Sequence, residues 1–142
     1  MKKIFLLLFI VPLLAFSQTE TKREYYESGR LLSIINYTDG VRNGSCKYFH
    51  DYGAWAIKSV VNYKNGKLIG NSKTYNQQGQ IIEQGQYKYT EEGVYSRKDG
   101  KWNTYYNSGE LKVEITYENG KSIQYISYEK DGSISPMPEG GC

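Results

Sequence analysis

The stretch that sets the architecture of this chain runs from residue 100 to residue 111 and reads Gly100-Lys101-Trp102-Asn103-Thr104-Tyr105-Tyr106-Asn107-Ser108-Gly109-Glu110-Leu111. An apolar–polar alternation follows as far as Tyr117, and the turn sequence Asn119-Gly120 closes the unit. Such alternation predicts a β-strand with one apolar and one polar face. The Ser-Gly and Asn-Gly steps predict turns, because Gly and Asn adopt positive φ at low cost. The unit therefore predicts a β-hairpin.

The same unit recurs about five times along the chain. Its glycines are Gly29, Gly53, Gly79, Gly109 and Gly132, at spacings of 24, 26, 30 and 23 residues. Four residues before each glycine stands an aromatic anchor: Tyr25, Phe49, Tyr75, Tyr105 and Tyr128. Two residues after each glycine stands an apolar residue: Leu31, Trp55, Ile81, Leu111 and Ile134. A period of this length is typical of repeat architectures.

The repeat is irregular in two places. The second copy reaches its closing Tyr63 two residues later than the other copies, and the segment 54–56 breaks its alternation. Between the third and fourth copies lies an insertion at about residues 88–98, which we interpret as a longer hairpin. We place the repeat domain at residues 18–134, with a short leader at 19–22 and a flexible tail at 135–142.

The composition favours a thin all-β sheet. All 15 tyrosines follow the first 17 residues, whereas leucine is sparse there. Such a chain cannot fill a thick aliphatic core, but amphipathic rings can cover a sheet while their hydroxyls stay wet. We therefore expect an elongated single-layer antiparallel β-meander of about five hairpins.

The first 17 residues have the three parts of a secretory signal peptide. Lys2 and Lys3 form a basic region, residues 4–14 are apolar, and Ala15-Phe16-Ser17 predicts cleavage before Gln18. The apolar run is shorter than the roughly 20 residues that a transmembrane helix needs. We expect export to the periplasm or the extracellular space, with no transmembrane segment in the mature chain.

The charge balance gives no electrostatic reason to expect nucleic acid as a partner. Removal of Lys2 and Lys3 reduces Lys+Arg from 18 to 16 against 15 Asp+Glu, a net charge of about +1. Binding to nucleic acid is driven by clustered positive charge, which this balance does not indicate.

The sequence shows no constellation that indicates catalysis, a cofactor or a metal. His50 is the only histidine, and it occupies the position that Tyr26 and Tyr106 hold in other copies, which favours a structural role. Cys46 alone does not make a zinc set. An exported compartment permits a Cys46–Cys142 disulfide. Two unlinked or loosely linked thiols are favoured over a structural bridge, because Cys142 is the last residue, beyond Gly140-Gly141.

The repeated core resembles the MORN repeat (membrane occupation and recognition nexus). It is more narrowly similar to the bacterial variant grouped as the YwqK-family toxin–antitoxin antitoxin. The resemblance rests on residues 100–111, on the cores 25–31 and 75–81, and on the closing turn 117–120, and it covers about Arg23 to Ile134. It implies stacked hairpins and a role in protein–protein or membrane-proximal interaction without catalysis. The signal peptide departs from what a cytoplasmic antitoxin requires.

These observations predict an exported, non-catalytic interaction or scaffold module. Its expected partner is another protein, for which strand addition at an exposed terminal edge is one route. Aromatic residues outside the repeat register are the candidate partner-binding residues: Tyr52, Trp55, Tyr89 and Tyr95. Two alternatives stay open, an envelope- or glycan-binding module acting through exposed Tyr and Trp, and an antitoxin-like immunity protein.

Overall fold

A computed structural model describes residues 17–53, 56–89 and 95–136. Within these residues eleven strands form one antiparallel sheet, and there is no helix. The strands are β1 (Thr19–Tyr25), β2 (Leu31–Thr38), β3 (Val41–Arg42), β4 (Gly44–Phe49), β5 (Ile57–Lys64), β6 (Lys67–Leu68), β7 (Gly70–Tyr75), β8 (Ile81–Lys88), β9 (Arg97–Tyr105), β10 (Leu111–Glu118) and β11 (Lys121–Ser127). The all-β prediction is confirmed.

Sheet order follows chain order, as expected for a meander. The path is β1-β2-β4-β5-β7-β8-β9-β10-β11, while the short strands β3 and β6 pair with β2 and β5. Eight steps of about 4.8 Å between strands give a sheet about 40 Å wide, longer than its strands of about 25 Å. No helix in the described part of the chain is long and apolar enough to cross a membrane.

The strands are joined by two kinds of connection, one at each end. At the first end, called the loop end, four five-residue loops repeat the same backbone bonds. In the first of them the Tyr26 N–H donates to the Arg30 carbonyl at 2.8 Å, and the Gly29 N–H donates to the Tyr26 carbonyl at 2.9 Å. The corresponding loops lie at residues 76–80, 106–110 and 129–133. The glycine adopts a φ of +80° in the first loop, which explains why this position recurs as glycine.

The opposite end, called the turn end, carries the two-residue turns. Asp39-Gly40 and Asn119-Gly120 both have positive φ at each residue, as a type I′ turn requires. A third such turn lies at residues 65–66. The remaining connection at this end is residues 89–96, between β8 and β9. The pair Lys88–Arg97 occupies the register that Thr38–Val41 holds in the first copy, so these residues replace one two-residue turn.

The buried interior is thin. The nearly inaccessible apolar side chains are Ile35, Cys46, Phe49 and Trp102. Trp102 packs over Gly85, where a Cβ atom would come within 2.3 Å of the indole ring. Its Nε1–H donates to the Gln86 carbonyl at 3.0 Å, so the ring is both packed and hydrogen-bonded.

The register of the second copy differs from the prediction. Phe49 pairs with Ile57, as Tyr25 pairs with Leu31 and Tyr105 with Leu111. The residue equivalent to Leu31 is therefore Ile57 and not Trp55, and the two extra residues lie in the loop 50–56. The prediction was wrong because Gly53 fits the period, although the strand pairing resumes later.

The start of the domain also differs from the prediction. Residues 19–22 are not a leader but the first half of β1, where Thr19 pairs with Thr38 and Lys22 with Ile35. The free edge of β2 supplies the hydrogen-bonding partners that a leader would lack. The predicted signal peptide, apart from Ser17, and most of the predicted tail lie outside the described residues.

Candidate functional site

The predicted partner-binding residues do not form one surface. Tyr52 lies in the loop 50–56 at the loop end, whereas Tyr89 and Tyr95 lie in the connection 89–96 at the turn end. The ends of an eight-residue strand are about 25 Å apart. Trp55 lies outside the described residues. The binding role of these four residues therefore stays a prediction, and it requires two separate contacts.

The three described candidates differ in their surroundings. The Tyr52 ring lies 4.9 Å from the His50 ring, and its hydroxyl is buried without a hydrogen-bond partner among the described residues. Loss of hydration raises the pKa of Tyr52. The Tyr89 ring lies 4.5 Å from the Lys67 ammonium. Tyr95 is 76% exposed, which leaves it the most available of the three for a partner.

His50 bonds between copies as the tyrosines at the same position do. Its Nε2 lies 3.2 Å from the Tyr75 carbonyl and donates to it, since a carbonyl only accepts. The Tyr26 hydroxyl donates to the Phe49 carbonyl at 2.7 Å, and the Tyr106 hydroxyl to the Tyr128 carbonyl at 2.9 Å. Each bond joins a loop to the anchor of the next copy. The prediction that His50 occupies this structural position is confirmed.

The other titratable side chains form no metal-binding cluster in the part of the chain that the structure describes. Among the described residues no group of three or more His, Cys, Asp or Glu side chains is close enough to hold a metal ion. The Lys101 ammonium lies 2.9 Å from the Glu114 carboxylate, which raises the pKa of Lys101. Cys46 is a free, buried thiol, and Cys142 lies outside the described residues.

One face of the sheet carries a row of tyrosines at the turn end. The tyrosines that close the units, Tyr37, Tyr63, Tyr87 and Tyr117, occur on every second strand and alternate with the residues opposite them on the next strand. Those residues are Arg42, Leu68, Lys98 and Ser122. The Arg42 guanidinium lies 5.5 Å from the Tyr63 ring centre, and the Lys98 ammonium 3.8 Å from the Trp102 ring centre. Cations over aromatic faces are attracted to the ring electrons.

The recesses on this surface are open rather than enclosed. One of about 330 Å³ lies at the loop end between the loops 26–30 and 50–56, beside Tyr25 and Phe49. Its Arg30 is paired with Asp51 at 3.7 Å. Small-molecule sites usually bury most of their ligand in a cleft. An open sheet is better suited to contact with a macromolecule.

The two outer strands of the sheet differ in character. Every residue of β1 is exposed, and four of its seven residues are charged: Glu20, Lys22, Arg23 and Glu24. The other outer strand, β11, has a single charged residue, Lys121, in its seven. Ile123 and Tyr125 in β11 are 61% and 54% exposed, and Ile134 just beyond it is 68% exposed. Charged outer strands discourage pairing with another chain, whereas an apolar one permits it.

Three stretches of the chain, residues 21–39, 68–89 and 98–119, match the family described as the MORN repeat variant. They coincide with the hairpins β1–β2, β7–β8 and β9–β10, so these three stretches are similar to MORN repeats and fold as hairpins. Among curated proteins, none matches the sequence significantly. A solved structure with a similar chain is described as "Crystal structure of GtfA/B complex bound to UDP and GlcNAc", at 16% identity and a TM-score of 0.44. The match covers 89% of this chain and 24% of that one, and similarity this low carries no argument about function.

Proposed function

We propose that the protein is an exported, non-catalytic interaction module that binds another protein by strand addition at β11. The observation that carries this proposal is the apolar character of β11, whose outer side is bordered at its C-terminal end by residues 134–135. The partner contributes an extended segment, with apolar side chains at alternate positions to pack beside Ile123 and Tyr125. Backbone hydrogen bonds supply affinity in this mode, and the alternate side chains supply specificity.

The backbone of β11 has donors and an acceptor that point away from β10. The Tyr128 N–H donates to the Lys112 carbonyl, so Tyr128 faces β10. In an antiparallel strand the bonding direction alternates from residue to residue, so Tyr125 and Ser127 face outward. The Ser135 N–H donates to the Ser127 carbonyl at 2.8 Å, which agrees with this alternation. Residues 134–135 already lie beside Ser127, so the N–H and C=O of Tyr125 are the groups that an added strand would bond.

Export is supported by the signal-peptide sequence and by the contacts of Gln18. Its backbone nitrogen lies 2.8 Å from Asp39 Oδ1, and its carbonyl accepts from the Asp39 N–H at 2.9 Å. Cleavage before Gln18 turns that nitrogen into an ammonium, which the Asp39 carboxylate stabilises as an ion pair. Intact-mass analysis of protein from the periplasm or medium tests this proposal. A mature chain that begins at Gln18 is the expected result, and an uncleaved cytoplasmic chain would contradict it.

Comparative capture tests strand addition. Mature protein immobilised through its C-terminus is incubated with the envelope fraction and the medium of the producing cells, and bound proteins are identified by mass spectrometry. Tyr125→Lys places a charge in the outer strand, which is how natural sheets prevent pairing. We expect at least one partner that binds the wild-type protein and is lost from Tyr125→Lys.

Tyr25→Lys is the matched control. Tyr25 lies in the opposite outer strand and is 59% exposed, close to the 54% of Tyr125. We expect Tyr25→Lys to capture the same partner as the wild-type protein, because β1 is already charged and is not the strand to which the partner binds. A partner that both variants retain, or that both lose while each stays folded by circular dichroism, would overturn strand addition at β11.

A further inference from the structure

A cluster of one arginine and three tyrosines lies on the sheet face near the turn end. Arg42 stands opposite Tyr37 in the register of β2 and β3. Its guanidinium lies 5.5 Å from the Tyr63 ring centre, and hydrogen bonding to the Tyr37 and Tyr63 hydroxyls raises the pKa of Arg42. Tyr48 is the third tyrosine beside the guanidinium. These four residues are called the Arg42 cluster below.

Arg42 has no carboxylate partner among residues 17–53, 56–89 and 95–136. The equivalent residue later in the sheet, Lys98, does have one, because its ammonium lies 3.3 Å from Glu83. Lys22, which lies 5.1 Å from the Tyr37 ring centre, is paired with Glu20 at 3.5 Å. Arg42 therefore lacks a carboxylate counterion among the described residues, whereas Lys22 and Lys98 each have one.

The cluster is a departure from the repeat rather than part of it. The position of Arg42 opposite the closing tyrosine is held by Leu68 and Lys98 in other copies. The position of Tyr48 is held by Thr74 and Thr104. The sheet therefore forms elsewhere with leucine and threonine at these positions, and the combination of Arg42 with Tyr48 exceeds what strand pairing requires.

The chemistry of the cluster suits an anion. A guanidinium presents a planar fork of N–H donors, and a tyrosine hydroxyl that accepts from it keeps its own hydrogen to donate. Burial, followed by the neighbouring Tyr63, raises the pKa of Tyr48 to about 12, so the Tyr48 hydroxyl stays protonated at neutral pH and donates to Tyr63. One cation among neutral donors matches a single negative charge, which favours a carboxylate over a doubly charged phosphate.

We propose that the Arg42 cluster is a binding site for the carboxylate of an acidic side chain in a protein ligand. The guanidinium receives the two carboxylate oxygens, while the Tyr37 and Tyr63 hydroxyls donate around it and Tyr48 supports Tyr63. The choice of a protein side chain over an acidic sugar rests on the proposed function, in which the partner is another protein. This site is separate from β11, and each has its own test.

The test is an NMR titration of the mature protein at constant ionic strength. The signal followed is the Arg42 side-chain Nε–H, and the probe is N-acetyl-glutamate amide. Its neutral counterpart, N-acetyl-glutamine amide, is the ligand control. We expect a saturable shift with the glutamate probe and none with the glutamine probe. Equal responses to both, or no saturable response to glutamate, would overturn the site.

Each substitution introduces a residue type that another copy of the repeat has at the equivalent position, so the variants should fold. Because Arg42→Leu removes the observed N–H, its titration is followed by isothermal calorimetry. Loss of a charge-assisted pair should weaken binding by about tenfold or more. Tyr48→Thr should weaken it several-fold, whereas Lys98→Leu should leave it unchanged. Undiminished binding in Arg42→Leu would overturn the assignment.

Titrations with two further ligands test which chemical class of anion the Arg42 cluster binds. Glucuronate carries a carboxylate on a sugar, and inorganic phosphate carries a second charge at neutral pH. We expect both to bind more weakly than N-acetyl-glutamate amide. Tighter binding of glucuronate would overturn the assignment to a protein side chain, and tighter binding of phosphate would overturn the assignment to a carboxylate.

Discussion

Trp102 and Gly85 act as a complementary pair at the centre of the sheet, because the indole occupies the space that any larger residue would need. Gly85→Ala should therefore lower the free energy of unfolding by about 1–3 kcal/mol, as overpacking usually does. Denaturant unfolding monitored by circular dichroism measures the change. Trp102→Leu relieves the clash, so the double variant should lose less than the sum of the single variants. Strict additivity would contradict the pairing.

The hydroxyl bonds between copies give a second prediction at the residue scale. Tyr106→Phe removes the bond to the Tyr128 carbonyl and keeps the ring, so it should cost about 0.5–1.5 kcal/mol of stability. Tyr26→Phe should behave alike, because its hydroxyl bonds the Phe49 carbonyl. Tyr95→Phe is the matched control, since an exposed side chain should change stability by less than about 0.5 kcal/mol. Equal effects of all three in thermal unfolding would contradict this role.

Tyr48 predicts how stability responds to alkaline pH. Its folded pKa of about 12 lies above the ordinary value of 10.0, so the unfolded chain loses this proton first as pH rises. The contribution of Tyr48 is complete below pH 10 and is lost as pH rises towards 12. Denaturant midpoints measured across this range should fall, and they should fall less steeply in Tyr48→Thr. Parallel curves for the two proteins would contradict the shift.

At the scale of elements, the connection 89–96 is an addition to a hairpin that does not need it. Replacing these residues by Asp-Gly restores the turn of the first copy between Lys88 and Arg97. The shorter loop should raise stability by about 1 kcal/mol through loop entropy, less the lost contact of Lys67 with Tyr89. Thermal unfolding measures this, and a markedly less stable protein would contradict the assigned register. The variant also removes Tyr89 and Tyr95, so an unchanged set of captured partners would show that neither is a binding residue.

The hairpins themselves could be predicted from sequence because their signals are local. Alternation gives strands, and Asn-Gly or Asp-Gly gives the turns, without any information from distant residues. The register of the second copy could not be predicted, because Gly53 fits the period while Phe49 pairs with Ile57 across a longer loop. The pairing of β1 was also missed, since its charged residues are typical of a leader as well as of an outer strand.

The candidate sites were less accessible to sequence reasoning than the fold. The Arg42 cluster joins residues from β2, β3, β4 and β5, so it becomes visible only when the register of four strands is known. Its signal in the sequence is the coincidence of Arg42 and Tyr48 at positions that other copies fill differently. The apolar character of β11 had a clearer signal, namely Ile123 and Tyr125 in the last complete strand.

At the scale of the whole molecule, each hairpin contacts only its neighbours, so the two outer strands are where another chain could extend the sheet. β1 is charged and exposed throughout, whereas β11 presents apolar side chains and outward backbone groups. The two outer strands of the sheet are therefore not equivalent as sites for an added strand. We infer that partners add at β11 and that the charges of β1 prevent growth at the opposite side.

Amide hydrogen exchange of the mature protein, free and bound to a captured partner, tests strand addition most directly. The outward N–H of Tyr125 should exchange rapidly in the free protein and slowly in the complex, because an added strand bonds it. The amides of β1 should exchange equally in both. Protection at β1 or along the row of tyrosines at the turn end, with unchanged exchange at Tyr125, would contradict binding at β11.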